Sequence, residues 1–167
     1  LTLSYITDMA QDIDEMPTDT REFINDFKDQ ILELEILSEE TATQISSLHK
    51  LIDTVKSAID SAVDFLADLV NEFEKKYPKV PRILGNEWVA FLNTNPNFLK
   101  RKPDYKDELR ELDDLVAQVE DVEITPNEEK LRDLTARIKG LQSDLNKFEK
   151  ELAAKYAILE KFSRVAK

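Results

Sequence analysis

Two apolar ladders climb this chain in alternating steps of three and four residues. The first reads Ile24, Phe27, Ile31, Leu34, Ser38, Thr41, Ile45, Leu48, Ile52, Val55, Ile59, Ala62, Leu66, Leu69, Phe73. The second reads Leu131, Leu134, Ile138, Leu141, Leu145, Phe148, Leu152, Lys155, Leu159, Phe162. Such an alternation averages about 3.5 residues, so a helix carrying it keeps one stripe turned toward a partner helix along a left-handed coil. The spacing predicts an all-α fold: an elongated antiparallel helical bundle or coiled coil with two long helices and shorter accompanying helices.

Composition agrees with that reading and excludes several functions. Only two glycines occur, and charged residues make up 35% of the chain against 41% hydrophobic, the profile of long helices rather than of disorder. The 167 residues suit a single body. A net charge of −12, from 23 basic and 35 acidic residues, opposes direct nucleic-acid binding. The absence of cysteine removes disulfides, thiolate metal sites and thiol nucleophiles together. No apolar run approaches the roughly 18 to 20 residues that span a bilayer. Leu1 to Asp14 lack the basic start and apolar core of a signal peptide, so the chain reads as soluble. Opening on Leu1 rather than Met suits a processed form or an excised fragment.

Cap and turn residues divide the chain. Leu3, Ile6, Met9, Ala10 and Ile13 predict a short helix over 2–15 that Pro17 ends. Asp19 and Glu22 have the spacing of a capping box and open a helix running over 19–76. Ser38 and Thr41 occupy adjacent seam positions, and two readings stay open there. Either the helix is continuous with a polar notch, or it breaks at Ser38 into pieces whose lengths match the two helices that follow. The stretch 77–103, with Pro78, Pro81, Gly85 and Pro96, predicts an irregular connection holding one short helix from Glu87 to Leu92 capped by Asn86. Asp104 caps a helix over 104–121 that bears Tyr105, Leu109, Leu112, Val116 and Val119. Thr125, Pro126 and Glu128 then match the N-cap, first-position proline and third-position carboxylate of a new helix over 126–164. Gly140 is a weak point within it, costing about 1 kcal/mol relative to Ala.

Charge is distributed unevenly. From Lys75 to Lys106 the basic residues Lys75, Lys76, Lys79, Arg82, Lys100, Arg101, Lys102 and Lys106 face only Glu87 and Asp104, a local balance of +6 that leaves −18 for the rest of the chain. The window also holds Tyr77, Trp88, Phe91, Phe98 and Tyr105. Interleaved cations and aromatics suit a docking surface for an acidic or aromatic-accepting partner, with Lys100, Arg101, Lys102, Trp88 and Phe98 as its candidate residues. The alternative is that the aromatics fold back as a plug closing the bundle, the reading favoured for Trp88, Phe91 and Phe98. The run Lys100-Arg101-Lys102 is less easily explained by packing.

Other chemistry lacks its parts. His49 is the single histidine and lies beside the seam, without the second ligand that a zinc site or a triad needs. The acidic groups Asp12, Asp14 and Glu15, or Asp107, Glu108 and Glu111, lack the glycine-containing loop of an EF-hand. Two isolated glycines cannot form a phosphate-binding loop. No cofactor, metal or catalytic role is expected. Over 51–73 the stripe widens, adding Leu51, Ala58, Val63, Phe65 and Val70 to the seam. A wide stripe predicts a helix enclosed on two or three sides, with an apolar surface opened to lipid as the competing reading.

Asp12-Ile13-Asp14-Glu15-Met16-Pro17 near the start is similar to a short stretch of the helical dimerisation domain of inhibitor-of-growth chromatin proteins. The same holds for Arg137-Ile138 through Leu141, Asp144-Leu145 and Phe148-Glu149 near the end. The intervening chain is much longer than in that family, and no function is carried over. The expectation is a non-enzymatic structural or interaction protein that binds protein partners, or further copies of itself, through helix faces and the basic 75–106 end. Lipid carriage or pore formation through 51–73 is the alternative.

Overall fold

The computed structural model describes residues 18–82 and 85–166. Every regular element among them is helical: α1 (Thr18–Lys76), α2 (Asn86–Thr94), α3 (Phe98–Arg101), α4 (Tyr105–Val119), a π-helical turn (Glu120–Ile124) and α5 (Thr125–Ala166). The helix expected over 2–15 lies outside the described residues. All fifteen positions of the first ladder and all ten of the second are buried or half-buried, so the 3-4 alternation marks the packed seam throughout.

α1 runs unbroken for 59 residues, which decides between the two readings at Ser38. Within the notch the Thr41 hydroxyl donates to the Leu37 carbonyl at 2.7 Å, handing its polar atom to the helix's own backbone, whereas the Ser38 hydroxyl is buried and makes no hydrogen bond among the described residues. Thr41 can therefore be buried in the seam.

Contacts group the described residues into two compact units, 18–51 with 134–166 and 52–133. In the first unit Ile24, Phe27 and Ile31 of α1 pack on Leu152, Tyr156 and Leu159 of α5. The helices are antiparallel there: the Phe23 ring lies 5.6 Å from Phe162, and Lys155 Nζ donates to Gln30 Oε1 at 2.9 Å. Ile24, Ile31 and Leu159 are fully buried, each contributing about 1.5–3 kcal/mol relative to exposure. Lys155, the charged rung of the second ladder, also sets its ammonium 4.9 Å from the Phe27 ring centroid. Its stem packs in the seam while its head finds a polar partner.

In the second unit the end of α1 packs against α2, α3 and α4. After α1, Lys79 takes a left-handed φ of 62°, a conformation costing on the order of 1 kcal/mol outside glycine. α2 begins at Asn86 itself, with Gly85 as its N-cap, one residue earlier than the expected cap. Asp104 occupies the N-cap of α4 as expected, although its side chain makes no capping bond.

The boundary expected at Thr125–Pro126 is not a helix start. Thr125 has helical angles, φ −58° and ψ −46°, and its N–H donates to the Glu120 carbonyl five residues back. Helical backbone thus continues from Tyr105 to Ala166 through a π turn. The inward positions explain the turn: Tyr105, Leu109, Leu112, Val116 and Val119 step by four and three, the next inward residue is Ile124, and Asn127, Leu131, Leu134 and Ile138 resume the alternation. One residue is in excess between Val119 and Ile124, and a π turn absorbs one extra residue without losing the seam. Asn127 Nδ2 donates to the Glu123 carbonyl at 2.6 Å, satisfying a backbone acceptor of the turn next to Pro126, which has no N–H to offer.

The widened stripe over 51–73 is not enclosed. Leu51, Val63 and Phe65 are 38%, 47% and 49% exposed. Ala58 is exposed as well, and Val70 is half-buried. Among the described residues the inward rungs of this stretch are covered, and its flanks are left open.

Candidate interaction surface

Tyr105, fully buried at the start of α4, is the hub on which the 77–103 connection folds. Trp88 from α2 stacks on it at 5.6 Å and 13°, Phe98 from α3 meets it edge-on at 5.1 Å, and Tyr77 approaches at 4.9 Å and 81°. Phe73 joins at 5.7 Å, and Phe91 sets its ring 5.0 Å from Phe98. These offset and edge-on contacts each add about 0.5–1.5 kcal/mol beyond area burial. The Tyr105 hydroxyl donates to the Pro81 carbonyl at 2.9 Å, tying down the loop after α1, and burial pushes its pKa up.

The edge of the cluster is held by charge. Glu108 accepts from Lys76 Nζ at 2.5 Å and from the Tyr77 hydroxyl at 2.6 Å. Those two donors lower the Glu108 pKa. Burial, with the same Glu108 bond, raises that of Tyr77 to about 12. Arg82 lies 3.7 Å from Glu74.

The five candidate residues therefore separate into two sets. Trp88 and Phe98, at 8% and 7% exposure, are core residues of the aromatic cluster. Lys100, Arg101 and Lys102 are exposed, and among the described residues they make no ion pair. Local backbone explains their placement. Arg101 N–H bonds the Asn97 carbonyl at 3.0 Å and Lys102 N–H the Phe98 carbonyl at 2.8 Å, closing one helical turn that the buried Phe98 ring anchors. The cations are left on the outside of that turn. Lys75, Lys79 and Lys106 are likewise exposed. Beside Trp88 and Tyr105 an open groove of about 610 Å³ continues onto α4, with Leu109 on its floor and Lys106, Arg110 and Asp113 on its walls.

Among the described residues no group of three or more His, Asp or Glu side chains is arranged to hold a metal ion, and His49 is exposed on α1. No described helix is long and apolar enough to cross a membrane. Sequence reasoning missed the Tyr77–Glu108–Lys76 arrangement. Its one available signal was Tyr77 itself, four residues beyond the last ladder position, Phe73. No protein-family model, curated protein or solved structure matches the chain.

Proposed function

We propose that the chain is a non-catalytic interaction module whose basic end binds an acidic segment of a partner protein through Lys100, Arg101 and Lys102. The observation that carries this reading is the anchoring of three consecutive cations, exposed and without an ion pair among the described residues, on a turn fixed by a buried ring, in a chain otherwise strongly acidic. A fixed turn loses little backbone entropy on binding, and exposed charges chiefly accelerate encounter and select the partner's sign. The test is the triple reversal Lys100→Glu, Arg101→Glu, Lys102→Glu, titrated against a fluorescein-labelled peptide rich in Asp and Glu. Affinity is expected to fall about tenfold or more at low salt, with the helix signal in circular dichroism unchanged. Equal affinity for parent and variant removes the reading.

A second reading, lipid contact through 51–73, draws support from the exposure of Leu51, Val63 and Phe65. Leakage of dye from neutral and anionic liposomes tests it, and no leakage with no vesicle binding rejects it.

A further inference from the structure

In the second unit, residues 57–74 of α1 and 111–129 of α4, the π turn and early α5 carry thirteen acidic side chains and no basic one. All thirteen are exposed. Within this negative field lies apolar surface that the seam does not use. Phe65 and Val63 are half exposed on α1, and Val122 in the π turn is 66% exposed. Ala58 and Phe65 stand one heptad apart on the same flank of α1. They border an open groove of about 380 Å³ that Glu123 and Asn127 help to line. Val63, two residues from Phe65, falls on the other flank. Leu66, Glu120 and Glu128 join it around a comparable groove of about 430 Å³.

We propose that the Ala58–Phe65 groove docks a basic amphipathic helix of a partner protein. In this arrangement the partner's apolar stripe rests on Phe65 and Ala58, and its lysines and arginines meet Glu123 and the surrounding carboxylates. Two antiparallel helices leave a groove along each flank of their seam, and a third helix laid there completes a three-helix coil. The charge selects the occupant. A second copy in a two-fold pair sets each patch against itself, bringing thirteen carboxylates against thirteen, and an anionic lipid surface is repelled in the same way. A cationic helix is attracted at range and buries the one large exposed ring in the groove. The inference extends the interaction-module reading but does not depend on the basic end.

The experiment titrates the whole chain against a fluorescein-labelled model peptide with leucines on one helical face and lysines elsewhere. A scrambled peptide of equal charge is the control. Parent protein is expected to bind the amphipathic peptide about tenfold or more tighter than the scrambled one. Phe65→Ser, which leaves net charge unchanged, is expected to remove that advantage, and Glu123→Lys to weaken binding. Val89→Ser, at another exposed apolar residue, should leave binding at the parent value, and the triple reversal at Lys100, Arg101 and Lys102, which adds negative charge, should not weaken it, so loss of the basic-end function is read separately. Equal binding of the two peptides overturns the proposal. So does parent-like affinity in Phe65→Ser or, should that variant lose helix content, in Glu123→Lys. Concentration-dependent dimerisation abolished by Phe65→Ser in sedimentation equilibrium makes the occupant a second copy and also overturns it. Vesicle binding lost in Phe65→Ser, without an effect on peptide binding, does the same for lipid.

Discussion

The Tyr77 hydroxyl donates to one oxygen of Glu108 at 2.6 Å while Lys76 holds the other at 2.5 Å, so the last turn of α1 is fastened to the first turns of α4 by one carboxylate. The two titrations act in opposite windows. Glu108 sits below its ordinary value of 4.5, so its contribution is present above that pH and is lost as pH falls through the lowered folded value. Tyr77 is raised from 10.0 to about 12, so its contribution is complete below pH 10.0 and is lost between there and about 12. Ultraviolet titration of parent minus Tyr77→Phe should show a tyrosinate step near the upper value. A step at the ordinary value rejects the buried bond. Tyr77→Phe should cost about 1 kcal/mol in denaturant unfolding.

Glu35 lies in the first unit under a different constraint. One of its carboxyl oxygens accepts from the Tyr156 hydroxyl, and the other, Oε2, is buried with no hydrogen-bond partner among the described residues. Burial raises its pKa above the ordinary 4.5. The folded state therefore holds the proton more tightly than the unfolded chain, and stability falls as pH rises from 4.5 through the folded value. Glu35→Gln should melt with parent below that range and above parent at neutral pH. Parallel melting curves at every pH contradict the assignment.

Deleting Val122 is expected to be tolerated. It shortens the step from Val119 to Ile124 by one, converting the π turn to α-helix while every inward position on both sides keeps its partner. Removing Leu115 from α4 instead rotates Tyr105, Leu109 and Leu112 by roughly 100° against α5. The denaturation midpoint should stay within about 1 kcal/mol of parent for the first deletion and drop by several for the second. Similar losses for both would refute the one-residue-excess account.

Gly140→Ala should stabilise the first unit. A methyl group there meets nothing within 4 Å, and the position lies in the interior of α5. The gain expected is up to about 1 kcal/mol, read from the thermal midpoint.

The ladders were legible because burial of alternate threes and fours is a property of helix geometry, indifferent to the partner's identity. Where a cap signal competed with the seam, it left Ser38 open and misplaced a boundary at Thr125-Pro126. Ser38 and Thr125-Pro126 carry the chemistry of helix starts, yet both lie inside helical backbone because packing on either side outweighs a local cap worth about 1 kcal/mol. The five-residue step from Val119 to Ile124 was visible in the sequence and is the stronger signal at that point. For the surface, consecutive cations are readable as exposed, since three neighbouring charges find no common partner. The burial of Trp88 and Phe98 depends on Tyr105, which the antiparallel return of the chain brings beneath them. The acidic field beside Phe65 exists only once 57–74 is laid beside 111–129, a register that no local pattern specifies.

That return also orders the contacts by the length of chain each must close. Tyr77 and Glu108 are 31 residues apart, Gln30 and Lys155 are 125 apart, and closing the longer loop first costs about 1.2 kcal/mol more in chain entropy. Pairing is therefore expected to begin at the aromatic cluster and zip outward along α1. Trp88, the only tryptophan, reports on that first step. In stopped-flow refolding its fluorescence should reach the native value no later than the far-ultraviolet ellipticity, and a late fluorescence change would reverse the order. A nascent chain under this scheme acquires its exposed lysines and arginines, already fixed on their turn, before Gln30 has met Lys155.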